Sequence, residues 1–203
     1  MRRFVKLAAA FILSTVILSG CGQATVTEDI QKTTLVIDNK GGVTAYLVGE
    51  FDKAYYDLSE LTTMARDEAA AFSAGKSGSA AVTVDKVEAA QDGSNRVVVE
   101  YVFDGTENYQ EFLGERLFYG TVSEAIEQGY CRGVELKNVN DGSLLTDDDL
   151  MGETKRHLIV TDASAAIYCP GKVSHISGEA FLNQDGSVDT TRTGGLVYIL
   201  LKK

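Results

Sequence analysis

The sequence predicts an α+β fold: antiparallel β-hairpins with one main amphipathic helix, followed by a strand-rich C-terminal part. Three observations carry this. Two pairs of β-prone runs each close around a turn-rich loop, a stretch with helical spacing lies between them, and beyond residue 130 short apolar runs alternate with turn residues.

The first hairpin is read from Thr34-Leu35-Val36-Ile37 and residues 43–48, which flank the loop Asp38-Asn39-Lys40-Gly41-Gly42. The helix follows over 58–72, where Leu58, Leu61, Met64, Ala65, Ala69 and Phe72 recur at steps that place them on one face. Asp57 or Ser59 caps its start and Gly75 ends it, before a flexible Lys76-Ser77-Gly78-Ser79 stretch. Val82, Val84 and Val87 then lead through the turn 91–95 into the run 97–103, a second hairpin. In the middle, Ser123 as cap, Ile126, Glu127 and the terminator Gly129 give a short helix. Strands are expected at 134–139, 157–161, 165–168, 173–176, 180–182 and 196–201, with Asn140-Asp141-Gly142, Pro170-Gly171 and Gln184-Asp185-Gly186 among the turns. A seam at 129–133 divides an α+β part, 33–130, from a β-rich part, 131–203, which stand as two domains or share one.

The N-terminus has the three-part order of a secretory signal over residues 1–20. Arg2, Arg3 and Lys6 are followed by an apolar run over 7–18 and the small residues Ser19 and Gly20. As a helix the run would rise only about 18 Å, short of the roughly 30 Å hydrocarbon core, so a permanent spanning helix is the poorer reading. Leu18-Ser19-Gly20-Cys21 resembles the lipobox of bacterial lipoproteins. That resemblance implies cleavage before Cys21, diacylglycerol and palmitate on Cys21, and a cell-membrane location on the extracytoplasmic face. Gly22, by the same resemblance, permits outer-membrane sorting in a two-membrane cell. Two or more acyl chains at about 0.8 kcal/mol per buried CH₂ attach a protein stably, whereas one is marginal. Residues 21–32, polar and without a bulky apolar cluster, read as the lipidated tether. The chain from Phe51-Asp52-Lys53 and Tyr55-Tyr56-Asp57-Leu58-Ser59-Glu60-Leu61 through Leu117-Phe118-Tyr119-Gly120-Thr121-Val122 is also loosely similar to uncharacterised lipoproteins of anaerobic Gram-positive bacteria, over about half the chain, a likeness that transfers no activity.

Without the signal, 16 basic residues face 29 acidic ones, a formal charge of −13. Nucleic acid and polybasic attraction to anionic lipid both rest on Lys/Arg clusters and are excluded on that ground. The partners expected are the membrane, through the lipid, and a surface protein or glycan.

With Cys21 acylated, Cys131 and Cys169 remain and make an even pair. Export from the reducing cytosol favours a disulfide between them, closing a loop of about 38 residues that would stabilise the fold by roughly 4 kcal/mol; ordinary buried thiols are the alternative. Ala70 to Ser77 matches a loose phosphate-loop pattern, but it overlaps the end of the expected helix, whereas phosphate binding needs a helix start. His157 and His175 sit in expected strands without further ligands at metal-binding spacing. Asp147-Asp148-Asp149 after Thr146 reads as an acidic first helical turn, with calcium ligation the alternative. The tyrosines Tyr46, Tyr55, Tyr56, Tyr101, Tyr109 and Tyr119 suit core and rim positions, or a binding surface. No catalytic residue, metal ligand or cofactor motif is assigned. The reading is a membrane-anchored, non-catalytic binding domain, with a carboxylate-based tethered hydrolase and an importer's solute-binding component as alternatives.

Overall fold

The computed structural model describes residues 30–53, 55–76 and 80–203. The expected signal (1–20), Cys21 and most of the expected tether (21–32) lie outside them, as do Ser77 to Ser79. Among the described residues no helix is long and apolar enough to cross a membrane.

The protein is an α+β fold of two mostly antiparallel sheets and four helices among the described residues. β1 (Thr34–Ile37) and β2 (Val43–Glu50) form the first hairpin. Asp38 shapes its turn, with Oδ1 accepting from the amides of Lys40 at 2.7 Å and Gly42 at 3.0 Å while Gly41 takes φ +89°, a left-handed conformation glycine adopts without Cβ strain. α1 (Leu58–Ala74) follows. Asp57 is its cap, accepting from the Glu60 amide at 2.9 Å, and the Gly75 N–H closes its end on Phe72 and Ser73 carbonyls. β3 (Val82–Ala89) and β4 (Arg96–Phe103) are the second hairpin.

α2 (Thr106–Leu113) and β5 (Leu117–Thr121) occupy the stretch where local pattern is weakest. The helix α3 (Val122–Glu127) starts two residues earlier than expected, and its cap is Thr121, not Ser123. The reason is a reciprocal capping box: Thr121 Oγ1 accepts from the Glu124 amide while the Glu124 carboxylate accepts from the Thr121 amide at 2.6 Å. β6 (Leu136–Asn138), β7 (Leu144–Leu145) and α4 (Asp147–Gly152) come next, then β8 (His157–Thr161), β9 (Ala166–Tyr168), β10 (Val173–Ser177), β11 (Phe181–Leu182), β12 (Val188–Asp189) and β13 (Val197–Leu201).

The seven-stranded sheet has the order β11-β12-β9-β1-β2-β4-β3 and the six-stranded sheet β5-β8-β13-β10-β6-β7. Residues on both sides of 129–133 therefore build both sheets. β1 pairs with β9, in parallel, and β5 pairs with β8.

Burial follows the period of two. Leu35 and Ile37 of β1, Val43 and Ala45 of β2, Tyr101 and Phe103 of β4 and Ile167 of β9 point into one hydrophobic cluster, joined by Ala65 and Ala69 of α1 and the fully buried Tyr109 of α2. The six-stranded sheet is covered on both faces. Ile159, Val197, Ile199 and Leu201 join that first cluster, whereas Leu158, Val160 and Leu200 form a second with Val122, Ala125 and Leu150 of α3 and α4. A strand buried on both sides has no polar face to show, which is why β8 and β13 read as near-continuous apolar runs.

Candidate functional site

A cleft of about 520 Å³ opens on the seven-stranded sheet beside the residues that lead into β1. Ile30, Gln31, Lys32 and Thr34 form one wall, and Tyr168 of β9 with Asn183, Gln184, Asp185 and Ser187 of the β11–β12 turn forms the other. The walls meet because Ala166 donates its amide to the Thr33 carbonyl at 2.9 Å, continuing the parallel β1–β9 pairing.

Its polar groups are tied to one another. Asp185 accepts from the Tyr168 hydroxyl at 2.9 Å, the Ser187 amide at 2.9 Å and the Ser187 hydroxyl at 2.7 Å. Asn183 Nδ2 donates to that same Ser187 oxygen at 3.0 Å. These Ser187 bonds hold the Asp185 carboxyl below its ordinary range, while burial, followed by Asp185 itself, pushes the Tyr168 phenol up. Behind the cleft, Lys32 pairs with the buried Asp189, which also accepts from the Thr191 amide at 2.9 Å and hydroxyl at 2.6 Å. Burial pushes the Asp189 carboxyl up, but Lys32 and Thr191 outweigh it and the net displacement is downward. Both carboxylates are therefore fixed acceptors. A general acid at neutral pH needs the opposite displacement.

A second cleft, about 440 Å³, is lined by Gln110, Arg116, Gln128, Gly129, Tyr130, Leu196 and Tyr198. Arg116 is its cationic group, and the Arg116 amide donates to Asp162 Oδ1 at 2.6 Å.

The other residues singled out in the sequence are dispersed. Cys131 and Cys169 are free and buried, in different clusters. The expected bridge is absent because Cys169, just after β9, faces the first cluster, while Cys131, just after α3, packs with the second across the six-stranded sheet. Burial raises both thiols, Cys169 to about 12. His157 stacks on Tyr119, ring centroids 5.2 Å apart. His175 lies 3.0 Å through Nδ1 from the Ser174 hydroxyl, its pKa lowered by burial and then by the Arg156 cation. Among the described residues no three His, Cys, Asp or Glu side chains gather as a metal site requires.

Asp147 to Asp149 are the first turn of α4. Thr146 Oγ1 caps the Asp149 amide, and Asp147 Oδ2 accepts from the Gly133 amide at 2.8 Å, tying α4 to the turn after α3. Lys76, at the phosphate-loop lookalike, lies over the Phe72 ring at 4.8 Å and pairs with Glu111 of α2. That lysine clamps two helices.

Sequence reading missed the cleft beside Lys32, although the Asn183 to Ser187 turn was visible. Asp185 followed by Ser187 is a local signature of a carboxylate bonding the backbone two residues on. What it lacked was Tyr168 and Lys32, which only sheet pairing brings near. No family model, curated protein or solved structure matches the chain.

Proposed function

We propose that the protein is a bacterial lipoprotein, anchored through Cys21 to the extracytoplasmic face of the membrane, whose folded part is a non-catalytic binding domain. The cleft between Lys32 and the β11–β12 turn is its contact for an envelope surface protein or glycan. The observation that carries the binding half is the composition of that cleft: amides, hydroxyls, a phenol and the Asp185 carboxylate held as an acceptor, with Asp189 held as another behind it. Such groups recognise polar ligands by geometry, and none is poised to move a proton. The motif Leu18-Ser19-Gly20-Cys21 supports the anchor half. Because Lys32 lies eleven residues after Cys21, the cleft stays within reach of the bilayer and suits a component held there.

Two measurements test this. Metabolic labelling with a fatty acid should mark the wild type and not a Cys21→Ala variant; equal labelling sinks the anchor. Immobilised wall glycan should retain the wild type and release an Asn183→Ala/Gln184→Ala variant of unchanged melting temperature, and cleavage of that glycan by the wild type would favour the tethered hydrolase instead.

A further inference from the structure

Three aromatic rings outside both hydrophobic clusters stack on one another at the start of the β2–α1 connection. Phe51 and Tyr56 have centroids 5.1 Å apart, Tyr55 and Tyr56 5.0 Å in an edge arrangement, yet Tyr55 is 75% exposed and Tyr56 44%. Rings that cluster without an apolar roof lose little entropy on being covered. Something on the outside fits them.

The route of the chain says what. The Phe51 amide donates to the Asn95 carbonyl at 2.6 Å, and Arg96 Nη1 donates to the Ile30 carbonyl at 3.1 Å. The entry of the folded part and the aromatic cluster are thus fastened to adjacent residues, at one end of the seven-stranded sheet. Cys21 and Ile30 are nine residue steps apart, at most about 30 Å of chain at 3.3–3.6 Å each. A lipid on Cys21 therefore holds this end of the molecule next to the bilayer.

We propose that Phe51, Tyr55 and Tyr56 are a second membrane contact, seated among the headgroups of the bilayer that carries the Cys21 lipid. The inference rests on the anchor proposed above. Phenol rings suit that layer, with the ring facing the acyl chains and the hydroxyl in water. Charge plays no attractive part. Lys53 is paired with Asp52 at 2.6 Å, and Glu50 and Asp57 stand on either side, so the contact should form on zwitterionic lipid and gain nothing from anionic lipid. Its effect is orientation: a lipid on Cys21 fixes only distance, and a second point turns the cleft to a set angle above the surface.

The chain contains no tryptophan, so Tyr55→Trp makes a single-tryptophan reporter in the full-length protein, and Leu144→Trp, on exposed β7 of the other sheet, is its control. With phosphatidylcholine vesicles carrying brominated acyl chains, Tyr55→Trp emission should shift to the blue and lose most of its intensity, while Leu144→Trp stays unchanged. Equal Tyr55→Trp emission in brominated and plain vesicles, with the protein co-floating, overturns the contact and leaves the anchor standing. A blue shift that grows with protein concentration without vesicles also overturns it, in favour of a second copy of the chain. The anchor is read separately, by the mass of the N-terminal peptide and by flotation of Cys21→Ala. If the wild type carries no acyl group, the quenching at saturating vesicles still decides the contact by the same two outcomes.

Discussion

Cys131 and Cys169 show how one residue's neighbours decide its chemistry. Each is buried, and each thiol is raised by the loss of water around it, so both are poor nucleophiles in the folded state. In a Cys21→Ala variant unfolded without reductant, we expect two alkylated cysteines by intact mass; none would indicate a bridge. Asp189 presents the opposite case, a buried carboxylate kept ionised by Lys32 and Thr191. Its folded pKa lies below the unfolded value, so the stability it contributes is present above about pH 4, the ordinary aspartate pKa, and is lost as pH falls through the lowered one. Asp189→Asn should therefore cost about 1–2 kcal/mol at pH 7 in urea unfolding and flatten the acid limb of the stability profile. An unchanged acid limb would show that the pair with Lys32 contributes nothing.

Among the elements, α3 depends most on a single local device. Six residues are too few to form a helix by propensity, and the capping box supplies two bonds while Val122 and Ala125 anchor it on the second cluster. Thr121→Ala should destabilise the protein by about 1 kcal/mol, whereas Ser123→Ala, at the exposed position that local pattern suggested for the cap, should change the melting temperature little. The hairpins and α1 were legible because their signals are local: a turn between two runs of alternating burial, or apolar residues three and four apart behind an acidic cap. α2 was missed although Tyr109, Phe112 and Leu113 have helical spacing, since its cap position is Gly105, which offers no side chain to read. β7 and β12 are two residues long, below the length at which a period can be recognised.

For the whole molecule, the two sheets interleave the chain. β1 needs β9, β5 needs β8, and the first cluster takes residues from Leu35 to Leu201. A fragment ending at residue 130 would expose the inner face of β5 and the free edge of β1 together. We expect fragments 30–130 and 131–203 to lack dispersed amide resonances separately, and a folded spectrum from either alone would establish an independent domain.

The sequence by itself determined the fold class, both hairpins, the main helix, most strand positions and the acidic character of residues 21–203, and it carries the Leu18-Ser19-Gly20-Cys21 motif on which the anchor proposal stands. These depend on neighbours within a few positions, where side-chain period, turn chemistry and caps act directly. Only the tertiary structure decided the parallel β1–β9 pair, the separation of Cys131 from Cys169 by a sheet, the cleft between Lys32 and Asp185, and the fastening of Phe51 and Ile30 to the neighbouring residues Asn95 and Arg96. Each joins residues too far apart in the chain for any local spacing to mark, and each is set by which apolar faces can be buried together.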